Sequence, residues 1–156
     1  MKGLSFGLTS GVITTLGMMV GLYSGTHSEL AVIGGVLMIA IADAFSDALG
    51  IHVSEESANN HTIKEVWEST ITTFLTKFFF ALTFIIPLLL FSLKNAIWVS
   101  IGWGFFVLGF ISYWMARNRK EKPLHIIGEH WLIASIVILI THYVGDFIAG
   151  KFGAIM

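Results

Sequence analysis

The chain has no cysteine and little charge: only 12% of its 156 residues are Asp, Glu, Lys or Arg. Without cysteine there can be no disulfide, no thiolate metal site and no cysteine nucleophile. Any metal must be held by carboxylate, imidazole, thioether, hydroxyl or backbone oxygen. A soluble domain usually carries about 25% charged residues, roughly twice this share. A net charge of −1 offers no basic surface for nucleic acid.

What the chain has instead is apolar. Hydrophobic residues make up 55% of it, mean hydropathy is +0.81, and the apolar residues fall into long blocks. Such blocks take lipid as their solvent. At about 20 residues per crossing, the length holds five helices and little else. The expected fold is therefore an all-α integral membrane protein, one transmembrane domain over residues 1–156. Its spans are expected near 3–23, 30–52, 71–93, 96–116 and 131–152. Lys2 precedes an apolar run, but Gly, Ser and Thr interrupt that run and no clear cleavage site follows. It reads as a retained first span rather than a signal peptide.

With five spans, Lys2, Lys64, Lys77, Arg117, Arg119, Lys120 and Lys122 fall on one side, and Lys94 and Lys151 on the other. Basic residues stay cytoplasmic, which predicts the N-terminus inside and the C-terminus outside. Trp67, Trp114 and Trp131 are expected near the inner boundary, and Trp98 and Trp103 near the outer. Thr62 and Glu65 form a capping box for a new helix. An amphipathic stripe through Ile63, Val66 and Trp67 then predicts an interfacial helical extension that runs into span 3. A solvated extension with no role of its own is the alternative. Pro87 predicts a kink in span 3.

Glycines recur at four-residue spacing in span 1, at Gly3, Gly7 and Gly11 and again at Gly17, Gly21 and Gly25. That spacing allows close helix approach, either within the monomer or in a homodimer.

The polar residues inside the spans carry the chemistry. Asp43 and Asp47 lie four apart on one face of span 2, with Ser46 extending that face. His142 and Asp146 repeat the spacing in span 5, and span 1 brings Thr9, Ser10 and Thr14. A charged residue at mid-bilayer costs on the order of 2.5–3.5 kcal/mol, so these groups must face protein or water. A site shared by spans 2 and 5 is one arrangement that satisfies them. They read as ligands for a divalent cation or as a proton path, or else as pairs that only fix helix packing. Carboxylate and imidazole suit manganese or ferrous iron, and protons equally. At the inner mouth His52, Glu55, Glu56, His61, Glu65 and Glu68 form either a cation entry patch or an ordinary solvated acidic surface. His125, Glu129 and His130 lack metalloprotease spacing, and no nucleophile elbow or phosphate loop is present, so no enzyme is expected.

The stretch AFSDALGIHVSEES, from Ala44 to Ser57, resembles the second-helix signature of the vacuolar iron transporter family, approximately ALSMAAGEYVSVSS. Ala44, Ser46, Ala48, Gly50, Val53, Ser54 and Ser57 match in register. The run GLTSGVITTLGMMVGL resembles the family's first helix, FIIPLLLF its proline-containing third, and Thr141, Tyr143 and Gly145 its last. The resemblance implies a five-helix homodimer, paired through helices 1 and 2. It would export ferrous iron or manganese from the cytosol in exchange for protons and hold no permanent cofactor. The polar residues of this chain itself then assign the ion to Asp43 and Asp47, with Ser10 and Ser46 assisting, and make His142 and Asp146 proton-linked or accessory.

The chain also departs from the family. Ser10 replaces an aspartate, Asp47 a methionine ligand, Ile51 a glutamate and Asp43 a glycine. The long glutamate-rich cytoplasmic segment has only residues 55–68 in its place. Carboxylate in place of thioether hardens the site toward manganese. A carrier of protons or another cation, and a non-transporting membrane interaction protein, are the alternatives. The expected location is a prokaryotic plasma membrane, since no organelle-targeting segment is evident.

Overall fold

The computed structural model describes residues 2–58 and 61–153. These form α1 (Lys2–Thr26), α2 (Glu29–Ser57), α3 (Ile63–Thr83), α4 (Ile85–Leu90), α5 (Leu93–Arg119) and α6 (Pro123–Phe152), with no strand among the described residues. α3 and α4 together make one span, so five stretches are long and apolar enough to cross a membrane. The protein is an all-α integral membrane protein of five spans.

The helices run past the expected span limits because capping chemistry ends a helix, whereas hydropathy only marks its apolar middle. The Ser28 hydroxyl caps α2, accepting from the Ala31 N–H at 3.2 Å. Pro123 opens α6, where its missing N–H costs nothing. The expected capping box is present: the Glu65 N–H donates to the Thr62 hydroxyl, and the Thr62 N–H donates to the Glu65 carboxylate. α3 therefore starts at Ile63 and runs unbroken into the third span. The break at Phe84 comes from Pro87, whose ring and missing N–H disrupt the bond to the carbonyl four residues back, at Thr83. The third span ends at Leu90 rather than 93, and Leu93 opens α5.

α1 is the central helix. It packs against α2, α3, α5 and α6, while α2 pairs with α3 and α6 with α5. No extensive packing joins α2 to α6, which leaves a seam along α1 between them. The core is built from α1 residues Val12, Leu16 and Met19, with Val32, Val36, Phe84, Leu88 and Leu108 around them. On α2 the buried residues are small, Val32, Val36, Ala40, Ala44 and Ala48, and the outward ones large, including Leu37, Met38, Ile41, Phe45 and Leu49. This inverted pattern suits helices that pack closely while facing lipid.

Both glycine runs of α1 are used within the monomer. A Cβ on Gly7 would come 2.9 Å from the Thr73 carbonyl of α3, and one on Gly21 would come 3.3 Å from the Thr141 carbonyl of α6.

Two expected placements need correction. Trp103 does not mark an outer boundary: it lies ten residues into α5, about 15 Å along the helix. There its indole N–H donates to the Thr83 hydroxyl at 3.1 Å, beside the helix break. Lys77 does not belong to the inner boundary either. It lies 14 residues past Ile63, about 21 Å into the span, and is fully buried.

A charge cluster at the middle of three helices

Thr14, Asp43 and Lys77 each fall near the middle of their span; Asp43 is 14 residues from either end of α2 (29 to 43 to 57). The apolar blocks are centred on the same depth, so three helices meet there with their most polar residues. Lys77 faces inward because it shares a stripe with Thr73 and Ala81, which are also buried. Gly11 leaves room for its stem, since a Cβ there would come 3.2 Å from the Lys77 Cγ.

The Lys77 ammonium reaches the Asp43 Oδ2 at 2.6 Å, contacts the Asp47 Oδ2, and donates to the Ser10 hydroxyl at 2.9 Å. Those three partners use all three of its N–H bonds. The Ser10 hydroxyl donates to the Asp47 Oδ2 at 2.6 Å, and the Thr14 hydroxyl to the Asp43 Oδ2 at 2.9 Å. Two carboxylates against one ammonium leave a formal charge of −1. The ammonium side chain is 1% exposed, but Asp43 keeps 27% and Asp47 21%. The cluster is sealed behind Lys77 and open at its carboxylates, along the α1–α2 edge where Ser10 and Thr14 are also half-buried.

The expected ligand set is met in part. Asp43, Asp47 and Ser10 come together as the sequence suggests. Ser46 does not join them. It is exposed on α2, because one residue before Asp47 means about 100° around the helix. Lys77 was missed as a site residue. Among the described residues, no three Asp, Glu or His side chains converge as a metal site would require.

His142 and Asp146 do not join this cluster either. The His142 Nδ1 pairs with the Ser24 hydroxyl of α1, and its Nε2 lies 3.5 Å from the Asp146 carboxylate. Ser24 lies ten residues beyond Thr14, about 15 Å along α1. A site shared by spans 2 and 5 is therefore not formed, since α1 lies between them. A hydroxyl, an imidazole and an acid in sequence are also the parts of a hydrolase triad. Here Ser24 is 2% exposed, and the neighbouring N–H groups are spent within the helix, leaving no oxyanion hole.

At the other end, the expected entry residues divide between two faces of α3. Glu55, His61 and Glu65 line one polar pocket with Glu68, Ser69 and Thr72, and the His61 Nε2 lies 2.9 Å from the Glu55 carboxylate. His52 is on the opposite face, paired with the Thr70 hydroxyl at 3.0 Å and edge-on to the Trp67 ring. Glu56 is exposed.

No family model, curated protein or solved structure compared with the chain matches it.

Proposed function

We propose that the protein is a cation carrier whose load is taken by Asp43 and Asp47. One observation carries this: a pair of carboxylates at mid-span, held by Lys77, Ser10 and Thr14, yet open on one edge. Burying charge costs several kcal/mol per ion, and ionisable groups inside spans mark ion paths. A purely structural ion pair has no need of an odd carboxylate or of an open edge.

The resemblance to the vacuolar iron transporter family supports ferrous iron or manganese as cargo, exported from the cytosol against protons. The remaining basic residues support an N-terminus inside: Lys2, Lys64, Arg117, Arg119, Lys120 and Lys122 against Lys94 and Lys151. In this reading a prokaryotic plasma membrane houses the protein. Two copies then pair through the α1–α2 edge, which shields its polar groups from lipid; the glycine faces of α1 are already occupied. Entry runs through the pocket of Glu55, His61 and Glu65, with His142 and Asp146 accessory at the far end. No part of the reading requires enzymatic chemistry.

The test is uptake of radioactive manganese into proteoliposomes. An Asp43→Asn variant keeps Lys77 neutralised by Asp47 and is expected to lose at least about tenfold in uptake, the scale on which even outer partners of metal ligands act. Unchanged uptake removes the proposed site.

Lys77 itself favours a second reading, in which the load is a proton or another monovalent cation. With the ammonium in place, one positive charge neutralises the cluster. Excess manganese then leaves the flux untouched.

A further inference from the structure

We infer that the hollow between the start of α1 and the end of α5 binds one anionic phospholipid, with the lipid phosphate on Arg119. The hollow shares no residue with the charge cluster, so this site and the cation site stand or fall separately.

The hollow measures about 360 Å³. Phe6 of α1 and Trp114 and Met115 of α5 give it apolar walls, and Ser5, Asn118 and Arg119 line it with polar groups. On α5, Phe110, Trp114 and Asn118 stand four apart, so they share one face at steps of about 6 Å. That stripe passes from amide to indole to phenyl as it runs into the span. Phe6 and Phe110 are both exposed, so the apolar wall continues onto the lipid-facing surface. The order is that of a lipid: charged head, interfacial belt, then chain.

The charge at the polar end is positive and unspent. Arg117, Arg119, Lys120 and Lys122 crowd into six residues there, with Glu121 as the one acid. Among the described residues, no ion pair neutralises any of these four bases. Nor does Arg119 have to cap its own helix. The Lys120 and Glu121 N–H groups already donate to the carbonyls of Arg117 at 3.4 Å and Ala116 at 3.0 Å. The fork of a guanidinium matches phosphate oxygens two at a time. A soluble anion would use that fork and leave the apolar walls bare, whereas a phospholipid uses both. In the orientation proposed above, this end faces the cytoplasmic leaflet, where anionic lipids concentrate and basic pockets between spans take their head groups.

The experiment is titration of phosphatidylglycerol into the full chain in neutral detergent, with bound lipids counted by native mass spectrometry and phosphatidylcholine run in parallel. Wild type is expected to hold one phosphatidylglycerol at least about tenfold more tightly than phosphatidylcholine. Arg119→Gln is expected to lose at least about thirtyfold in affinity for phosphatidylglycerol, since a charged hydrogen-bonded contact goes together with a surface charge. Lys122→Gln removes the same charge outside the hollow and is expected to lose no more than about fivefold. A loss in Arg119→Gln no larger than in Lys122→Gln overturns the inference and leaves only diffuse attraction to the basic cluster. Equal wild-type affinity for the two lipids overturns it as well. If Arg119→Gln does not fold, Arg119→Lys takes its place, keeping the charge but not the fork, and is judged against Lys122→Gln in the same way. Release of the lipid by excess glycerol phosphate would assign the hollow to soluble anions and overturn the lipid. A shift from dimer to monomer in Arg119→Gln with lipid binding unchanged would assign it to a second copy of the chain, which also overturns the inference.

Discussion

Replacing both Asp43 and Asp47 by Asn is expected to cost about 3–5 kcal/mol of stability, the scale for stranding one half of a buried ion pair. Lys77 has 1% of its side chain exposed, and among the described residues its ammonium has only these carboxylates and the Ser10 hydroxyl as acceptors. An Asn pair would leave a full charge, or a lysine forced neutral, at the centre of three spans. Adding Lys77→Met removes the stranded charge. The triple variant is expected to recover most of the loss, because the cost lies in the unpaired group rather than in the missing bridge. Thermal unfolding in one detergent, wild type against double and triple variants, checks this. A triple variant no more stable than the double would mean that the ion pair is not what the aspartates contribute. The practical consequence is that the double variant confounds flux with folding.

The second large effect is expected at the crossing of α1 and α6. A Cβ on Gly145 would meet the carbonyl oxygen of Gly21, and would come 2.8 Å from the Ser24 Cβ and 2.9 Å from the Gly25 nitrogen. Two of those three neighbours are backbone, which no rotamer change can move. Gly145→Ala must push the helices apart, at about 1–3 kcal/mol as for other overpacked sites. Shifting Ser24 also disturbs its pairing with His142. Gly128 lies in the same helix with nothing within 4 Å of a built Cβ. Gly128→Ala is expected to be neutral, or to gain up to about 1 kcal/mol from helix propensity. Equal melting temperatures for the two variants would contradict the close crossing.

The spans were legible because each is a long apolar block, and the break in the third because proline forbids a helix bond. Helix ends were less legible, since a cap such as Ser28 or Pro123 lies outside the apolar run it starts. The two glycine runs of α1 show how far a one-dimensional pattern can reach. Gly11 and Gly17 are six residues apart, so the second run is turned by about 120° from the first. The sequence therefore already implies two different partners, α3 and α6, though not their identity.

Lys77 was misplaced by a count that treats every basic residue as loop. Its surroundings argued otherwise, because it stands between Phe74 and Leu75 on one side and Phe78, Phe79 and Phe80 on the other, well within an apolar block. A lysine there needs a buried carboxylate, and Asp43 and Asp47 at mid-span were the available pair. What the sequence lacked was the neighbour relation: α2 beside α3, and α6 on the far side of α1. For the same reason it joined His142 to Asp43, two residues of similar depth on helices that do not pack together extensively.

The central claim is that Asp43 and Asp47, in a mid-span triad with Lys77, carry the cation. Its most direct test is manganese and proton flux in proteoliposomes that hold the Asp43→Asn, Asp47→Asn, Lys77→Met triple variant, with folding verified by its melting transition. Flux is predicted in the wild type and none above empty vesicles in the folded triple variant. Flux at the wild-type rate through the neutral triad would contradict the claim.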